Sequence, residues 1–174
     1  MSFPAKLAPN GSLTLTLPSS RSVEVPKTTP TFPVWDGAVP DDTYGGKSVL
    51  DADGEAAFAE LFILRLFEKN GWEGVWIDTF GGTTYHKRYW QDEVVTVPRG
   101  AQEVLKVIGE RNGGMGGCFD VFAWRGEDVF FAEAKQKGAD SIRDTQKEWL
   151  DYALDTGLPL DSFLIVEWTK EASG

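Results

Sequence analysis

The chain has 174 residues, 41% of them hydrophobic, with one cysteine and a formal net charge of −10. This length suits a single domain with a sizeable core, and the lone cysteine excludes an intrachain disulfide, which fits a reducing compartment. No apolar run approaches the roughly eighteen residues of a membrane span, and residues 1–27 lack an apolar signal segment, so we expect a cytoplasmic protein without membrane contact.

The first 50 residues contain seven of the nine prolines. Because proline is excluded from helix interiors and central strands, they predict an extended arm with at most one hairpin. The alternating segment Leu13–Leu17 can form a short strand, and apolar residues that include Trp35 favour docking of the arm onto the domain or onto a protein partner. The predicted organisation is an arm over 1–50 and an α/β domain over 51–174, with an insertion at about 81–117.

A strongly apolar helix is predicted next. Asp51 or Asp53 can cap it, and it extends to about Lys69. Glu60 stands out on this helix because its neighbours one and two turns later are all apolar. Glu55 is a competing acid on the same helix, and the spacing to the helix end favours Glu60.

Strands and a second helix follow this first helix. The pattern predicts a core strand over 72–79, strands around 85–90 and 94–97, and a helix from Pro98 to Gly109. Basic and aromatic residues interleave around residue 88, as they do in nucleic-acid contacts. Lys87 and Arg88 are therefore candidate DNA contacts, and an ordinary exposed strand edge explains them equally well.

Two strands joined by a short turn carry the most informative polar residues. Residues 119–124 alternate and are rich in aromatic side chains, and residues 128–135 form an apolar run that ends in charge, which predicts a hairpin. Asp120 opens the first strand and Glu133 closes the second, so both carboxylates can lie at the same end. Glu133 and Lys135 are two residues apart and share a face of their strand. Such a charged group among core strands is costly unless a cation binds there.

The chain closes with a helix that begins near Asp144 and carries Gln146, and with a strand over Phe163–Val166. Three basic residues near this helix could contact flanking phosphates or lie on a solvated face: Lys137, Arg143 and Lys147. The predicted order of elements is helix, strand, insertion, hairpin, helix and strand. This order fits a mixed sheet with helices on both faces.

The acid Asp120, the Glu133-Ala134-Lys135 element, the Gln146 helix and the earlier Glu60 helix together resemble the PD-(D/E)XK nuclease superfamily. Within it, residues 51–168 resemble the virus-type replication-repair nuclease (VRR-NUC) module. One departure is a phenylalanine before Asp120, where the motif has proline. The resemblance implies an α/β fold with a mixed central sheet flanked by helices, a restriction-endonuclease-like core. Taken singly, each of these residues is explained better by a strand-end cap or salt bridge.

The resemblance also implies a Mg²⁺ or Mn²⁺ site. Asp120, Glu133 and Glu60 would supply carboxylates and Ala134 its backbone carbonyl, which are the oxygen ligands that hard cations prefer. Lys135 would lie near the attacking water and stabilise charge on the phosphate. Gln146 would orient that water or the phosphate by hydrogen bonding.

These assignments lead to a metal-dependent DNA endonuclease acting on branched or other structured DNA, and a homodimer would suit cutting of both strands. The net charge of −10 opposes tight independent DNA binding, although residues 81–147 carry equal numbers of acidic and basic residues. Two alternatives remain open. One is a catalytically silent nuclease-fold module for binding or assembly, and the other is an acidic inhibitor of DNA-binding proteins.

Overall fold

The computed structural model describes residues 3–80, 82–89 and 94–171. Its strands are β1 (Gly11–Thr16), β2 (Ser22–Thr28), β3 (Thr31–Phe32), β4 (Leu50–Asp51), β5 (Ala56–Ala57), β6 (Glu73–Phe80), β7 (Thr83–Lys87), β8 (Val121–Arg125), β9 (Asp128–Gln136) and β10 (Phe163–Lys170). Its α-helices are α1 (Ala59–Glu68), α2 (Arg99–Asn112) and α3 (Asp144–Asp155), and short 3-10 turns cover Ala5–Leu7 and Leu160–Ser162.

A mixed sheet forms the centre of the molecule, with strand order β1-β2-β10-β9-β8-β6-β7 and β3 also pairing with β10. Strands β9, β8, β6 and β7 are successively antiparallel. Strand β10 runs parallel to β9 because α3 carries the chain back between them, as a parallel connection requires. The predicted α/β class with a mixed sheet flanked by helices is therefore confirmed.

The sheet is buried on both faces. Helix α1 packs on one face, where its residue Phe67 lies in one core with Trp72 and with Phe130 of β9. Helices α2 and α3 cover the other face. Phe131 and Trp149 lie in that second core. Successive residues of β9 alternate between the two cores because strand side chains alternate, which explains why this strand is an uninterrupted apolar run. After Asp128, the first polar side chain of β9 is Glu133 near its end, and that end positions the candidate site.

Part of the predicted arm joins the sheet. Strands β1 and β2 form a hairpin, and β2 pairs in parallel with β10. The short strand predicted within Leu13–Leu17 is present. Pro26 lies inside β2, one residue before the pairing with β10 begins at Lys27, so a proline does stand in an interior strand. Residues 11–32 thus contribute three strands to the central sheet.

The hairpin loop is tied to α3 through a buried acid. Asp151 accepts hydrogen bonds from the Ser19 N–H at 2.7 Å and the Ser19 hydroxyl at 2.8 Å, and it forms an ion pair with Arg21. Burial acts to raise the pKa of Asp151, but the hydrogen bonds from Arg21 and Ser19 outweigh it, and the pKa is lowered. These contacts fasten the N-terminal strands to the rest of the domain.

The start of the first helix differs from the prediction. Helix α1 begins at Ala59 and is not capped by Asp51 or Asp53. Asp53 and Gly54 have φ values of 59° and 89°, and this left-handed pair turns the chain between β4 and β5. Asp51 Oδ1 accepts the Gly54 N–H at 2.6 Å, so this acid stabilises the turn.

The later elements follow the prediction more closely. The core strand, the hairpin, the last helix and the last strand are present as β6, β8–β9, α3 and β10. The strand predicted at 94–97 is absent, since Val94 makes only a single bridge to Lys87. Trp90, at the end of the strand predicted before it, lies outside the described residues. No helix in the described part of the chain is long and apolar enough to cross a membrane.

Candidate functional site

The hairpin of β8 and β9 joins Asp120 to the end of β9 by two reciprocal hydrogen bonds. The Asp120 N–H donates to Glu133 Oε2 at 3.1 Å, and the Ala134 N–H donates to Asp120 Oδ2 at 3.0 Å. Strand β8 begins at Val121, opposite Ala132, so Ala134 has no β8 residue across from it. The Asp120 side chain takes that place and satisfies a backbone donor that would otherwise be unpaired. The structure thus places both carboxylates at the open end of the hairpin.

Glu133 is almost completely enclosed by its own hydrogen-bond donors. Its side chain is 1% exposed, and Lys135 Nζ donates to its Oε1 at 2.8 Å. Gln146 Nε2 donates to the same oxygen, and the Asp120 N–H donates to Oε2. A carboxylate has about four lone-pair sites, so three donors leave one on Oε2. Lys135 also lies 3.6 Å from the Asp140 carboxylate.

Gln146 connects the start of α3 to this carboxylate. Its Oε1 accepts the Arg143 N–H at 3.0 Å, which satisfies one of the first donors of the helix. Its amide nitrogen donates to Glu133. In this arrangement Gln146 caps α3 and orients Glu133, and both ends of its amide are engaged.

Glu60, in the first turn of α1, faces the same region from the other face of the sheet. It is 7% exposed and forms an ion pair with Lys47. The competing acid Glu55 instead makes a bidentate pair with Arg65, at 3.0 and 2.9 Å. The structure therefore places Glu60, and not Glu55, beside Asp120.

Lys47 belongs to the site and was missed by sequence reasoning. It lies in the predicted arm, on a stretch without strand or helix periodicity, thirteen residues before Glu60. No sequence motif includes Lys47, so no signal in the sequence indicates that it belongs to the site. In the structure it is the cation that faces Glu60, and its charge also acts on Asp120.

A cavity of about 350 Å³, here called the acid cavity, opens beside these groups. Its lining includes Glu60, Asp120, Gln146, Lys47 and Arg143. A smaller space of about 170 Å³ also borders the Lys47–Glu60 pair and is lined in part by Ala134 and Asp140. A ligand in the acid cavity can therefore contact acids contributed by two faces of the sheet.

The negative charge at this point is incompletely balanced. Burial raises the pKa of Asp120 well above its usual range, and the charges of Glu133 and Glu60 raise it further. Burial also raises the pKa of Glu133, although Lys135 and Gln146 oppose that shift. Burial and the two neighbouring carboxylates raise the pKa of the Cys118 thiol, which keeps it protonated and unsuited to nucleophilic attack. A site with this electrostatic imbalance favours a cation.

The donor set fits a hard divalent cation. No described residue donates a hydrogen bond to Asp120 Oδ1, and Glu133 retains one acceptor site. The N–H and carbonyl of a strand residue point to the same side, so the Ala134 carbonyl faces Asp120 as well. Within the described ranges, no three acidic, histidine or cysteine side chains are already gathered as ligands of one ion. Asp120, Glu133 and Glu60 stay the predicted ligands of Mg²⁺ or Mn²⁺, and of these Asp120 and Glu60 line the acid cavity.

The candidate DNA contacts divide into two groups. Lys87 is 4% exposed and pairs with Asp78 at 2.8 Å, so it is not an exposed strand-edge residue, and its contact with DNA stays a prediction. Arg88 pairs with Glu68 at the end of α1 and is not brought to the acid cavity. Of the other three, Arg143 lines the acid cavity, Lys137 is exposed on the turn after β9, and Lys147 pairs with an acid one helical turn before it.

No family model, curated protein or solved structure matches this chain.

The raised pKa of Asp120 predicts an unusual dependence of stability on pH. A carboxyl whose pKa is higher in the folded state binds protons more tightly there, so its stabilising contribution is present at low pH and is lost as pH rises above 3.8, the ordinary value, through the folded pKa. In EDTA, wild type should lose stability relative to Asp120→Asn as the pH rises above 3.8 through the raised pKa of Asp120. Thermal unfolding of both proteins measures this difference.

Magnesium supplies the matching control for that comparison. A cation bound by Asp120 would remove the repulsion, so Mg²⁺ should raise the melting temperature of wild type at the higher pH and leave Asp120→Asn unchanged. Parallel pH profiles for the two proteins, with no differential response to Mg²⁺, would contradict the electrostatic interpretation of the site.

Proposed function

We propose that this chain is a metal-dependent nuclease that hydrolyses phosphodiester bonds in DNA. The observation that carries the proposal is the convergence of Asp120, Glu133, Lys135, Gln146 and Glu60 at one end of the sheet. These residues come from α1, the start of β8, the end of β9 and the start of α3. Four of the five are linked by direct hydrogen bonds or ion pairs, and Glu60 shares the acid cavity with Asp120.

The order of the elements supports the same proposal. Helix α1, the antiparallel strands β6, β8 and β9, helix α3 and the parallel strand β10 follow the order that the resemblance to the PD-(D/E)XK superfamily implies. On this basis we propose a restriction-endonuclease-like core, with β1, β2 and β7 added at the sheet edges. Fold likeness alone does not assign chemistry, so the weight rests on the polar groups.

Each polar group has a distinct part in the proposed reaction. A bound Mg²⁺ or Mn²⁺ would supply an activated water and neutralise charge on the phosphate. Asp120 and Glu60 present carboxylate oxygens to the acid cavity. Gln146 and Lys135 hold Glu133 in one orientation. The ammonium of Lys135 places a fixed positive charge behind the carboxylates, where it stabilises negative charge that develops on the phosphate.

The charge distribution predicts weak binding of long DNA. Arg143 is the predicted DNA contact that lines the acid cavity, with Lys137 and Lys147 nearby in sequence. Few phosphate contacts and a net charge of −10 give weak, salt-sensitive binding. We therefore propose recognition of a local feature of branched or otherwise structured DNA. A homodimer and a protein partner for the N-terminal segment remain predictions.

One observation favours a second candidate, a catalytically silent binding module on the same fold. Glu133 is already saturated on Oε1 by Lys135 and Gln146, and a structural role would account for such a network without any metal. The raised pKa of Asp120 opposes this candidate, because a purely structural network gains nothing from uncompensated charge.

A cleavage panel distinguishes the two candidates. Wild type and Asp120→Asn are incubated with single-stranded, duplex, flap and four-way-junction DNA in Mg²⁺, Mn²⁺ or EDTA. We expect metal-dependent cleavage by wild type and a loss of about 100-fold or more in Asp120→Asn, because several kcal/mol of charge stabilisation is removed. The asparagine can still accept the Ala134 N–H, so the hairpin is retained.

Asp161→Asn, which removes an exposed acid at the turn before β10, is the matched control and should cut like wild type. Folded wild type that cuts none of the substrates with either metal would favour the silent module.

A further inference from the structure

A second and larger cavity adjoins the acid cavity. It has a volume of about 730 Å³ and is called the aromatic cavity here, because Tyr44, Phe80 and Tyr85 line it. Asp78, Tyr44 and Phe80 line both cavities, so the two spaces are adjacent. Its volume lies in the range of about 300–1,000 Å³ that small-molecule sites occupy.

Two charged residues, Asp78 and Lys87, line the aromatic cavity beside its aromatic side chains. Lys87 Nζ donates to Asp78 Oδ2 at 2.8 Å. The same ammonium lies 5.2 Å from the ring centroids of both Tyr44 and Tyr85. Asp78 lines the cavity, and its Oδ1 accepts no hydrogen bond from the described residues. The Asp78 side chain is 16% exposed, so this oxygen can accept a hydrogen bond from a ligand in the cavity.

The mouth of the aromatic cavity exposes an unusual amount of apolar surface. Phe80, the last residue of β6, is 78% exposed, and Val94 is 64% exposed. Both line the cavity, and Phe80 also borders the acid cavity. Large exposed apolar side chains beside a polar pocket are typical of a binding site.

These features select a flat aromatic ligand with a polar edge. A purely aliphatic ligand would leave Asp78 without a donor, and a simple anion would be repelled by it. A nucleobase has a face that stacks on aromatic rings, and adenine, cytosine and guanine carry an exocyclic amino group that can donate to Asp78. A base paired within a duplex cannot enter, because its faces are stacked on neighbouring bases.

The geometry points to a subsite that stacks one unpaired nucleobase in the aromatic cavity while the adjoining phosphate lies in the acid cavity. This inference rests on the proposed nuclease function and specifies its substrate as DNA with an unpaired, amino-bearing base beside the cleaved bond. Thymine has no exocyclic amino group and can offer Asp78 only its ring N3–H, so we expect it to bind more weakly than adenine.

The test uses three short DNA hairpins that differ at one unpaired position, which holds adenine, thymine or an abasic residue. Binding is measured by fluorescence anisotropy, with calcium replacing magnesium and again in EDTA, and cleavage is measured separately in Mg²⁺. Base stacking contributes about 1–3 kcal/mol, so Phe80→Ala should weaken binding of the adenine hairpin by about 5- to 150-fold. Binding of the abasic hairpin should not change.

Tyr89→Ala removes a partly exposed ring that stacks on Arg65 and does not line the aromatic cavity, so it should bind all three hairpins like wild type. Phe80→Trp, which keeps a stacking surface, should restore the preference for adenine. Equal binding of the adenine and abasic hairpins by wild type, or an unchanged preference in Phe80→Ala, would overturn the subsite.

The outcomes separate the two proposals. Cleavage by wild type without any preference for an unpaired base would retain the nuclease and reject the subsite. Adenine-dependent binding without cleavage in Mg²⁺ would retain the subsite and reject the nuclease. Absence of binding and cleavage for every hairpin would reject both.

Discussion

Metal-dependent cleavage should fall by at least about 100-fold when Lys135 is replaced by methionine, because an ammonium that stabilises the transition-state charge is lost. Lys135 lies 2.8 Å from Glu133 and both side chains are buried, so no solvent cation can substitute for it at that position. The initial rate of cleavage in Mg²⁺, compared with wild type on the best substrate of the panel, measures the loss.

The same substitution leaves Glu133 as a buried charge without its partner, which can cost about 3–5 kcal/mol of folding free energy. Lys135→Arg separates this effect from catalysis, because it keeps the positive charge beside Glu133 but differs in donor geometry and cannot lose its proton. We expect Lys135→Arg to unfold at nearly the wild-type temperature and to cut at least about 10-fold more slowly.

Lys106→Met is the control for both variants, since Lys106 lies on α2 with its side chain 57% exposed. It should retain wild-type cleavage and stability. Undiminished cleavage by a folded Lys135 variant would show that Lys135 is not part of the reaction and would withdraw the assigned site.

Gly117→Ala should be among the most destabilising single-methyl changes in the chain, at about 2 kcal/mol or more. Gly117 has a φ of +81°, and a Cβ there would lie 2.1 Å from the Thr145 carbonyl oxygen, which is backbone and cannot rotate away. The strained φ alone costs about 1–3 kcal/mol for a residue with a side chain. The loop must shift from the start of α3, and Gln146 with it. Chemical denaturation, followed by tryptophan fluorescence, measures the change in unfolding free energy.

Gly116→Ala is a control one residue away. Nothing lies within 4 Å of a Cβ at that position, and its φ is not in the left-handed region. We expect a change of no more than about 1 kcal/mol, in the stabilising direction, because alanine restricts the unfolded chain. Equal effects of the two alanines would mean that the loop does not pack against α3 as described. A Gly117 variant that stays folded should also lose cleavage, because Gln146 would no longer orient Glu133.

The glycine-rich loop illustrates where local reasoning stops. Residues 113–117 include four glycines, a composition that favours a flexible loop, but the structure has Gly117 in close contact with α3. Helix α2 shows a smaller error of the same kind. It was expected to end at Gly109, but it continues to Asn112, where Gly113 with a φ of 73° closes it in the left-handed conformation. A glycine within a helix costs only about 1 kcal/mol, so the composition did not decide which glycine ends it.

Lys87 shows why a surface pattern can mislead. Its basic and aromatic neighbours resembled an exposed nucleic-acid contact. Its position is decided by Asp78, which lies across the β6–β7 pair, and by Tyr44, which is 43 residues earlier in the chain. An ammonium is buried only where such partners are present, and their presence depends on packing of a segment without a regular pattern.

The sequence by itself determined the α/β class, the core strand, the β8–β9 hairpin and the meeting of Asp120 with Glu133. Those features depend on side-chain alternation, turn residues and near neighbours, all of which act over a few residues. Only the tertiary structure decided that β1 and β2 extend the sheet, that Lys47 faces Glu60, that Gln146 holds Glu133, and that the aromatic cavity opens beside the acid cavity. These contacts join residues far apart in the chain, and such long-range partners are chosen by the packing of the whole domain, because no local period records them.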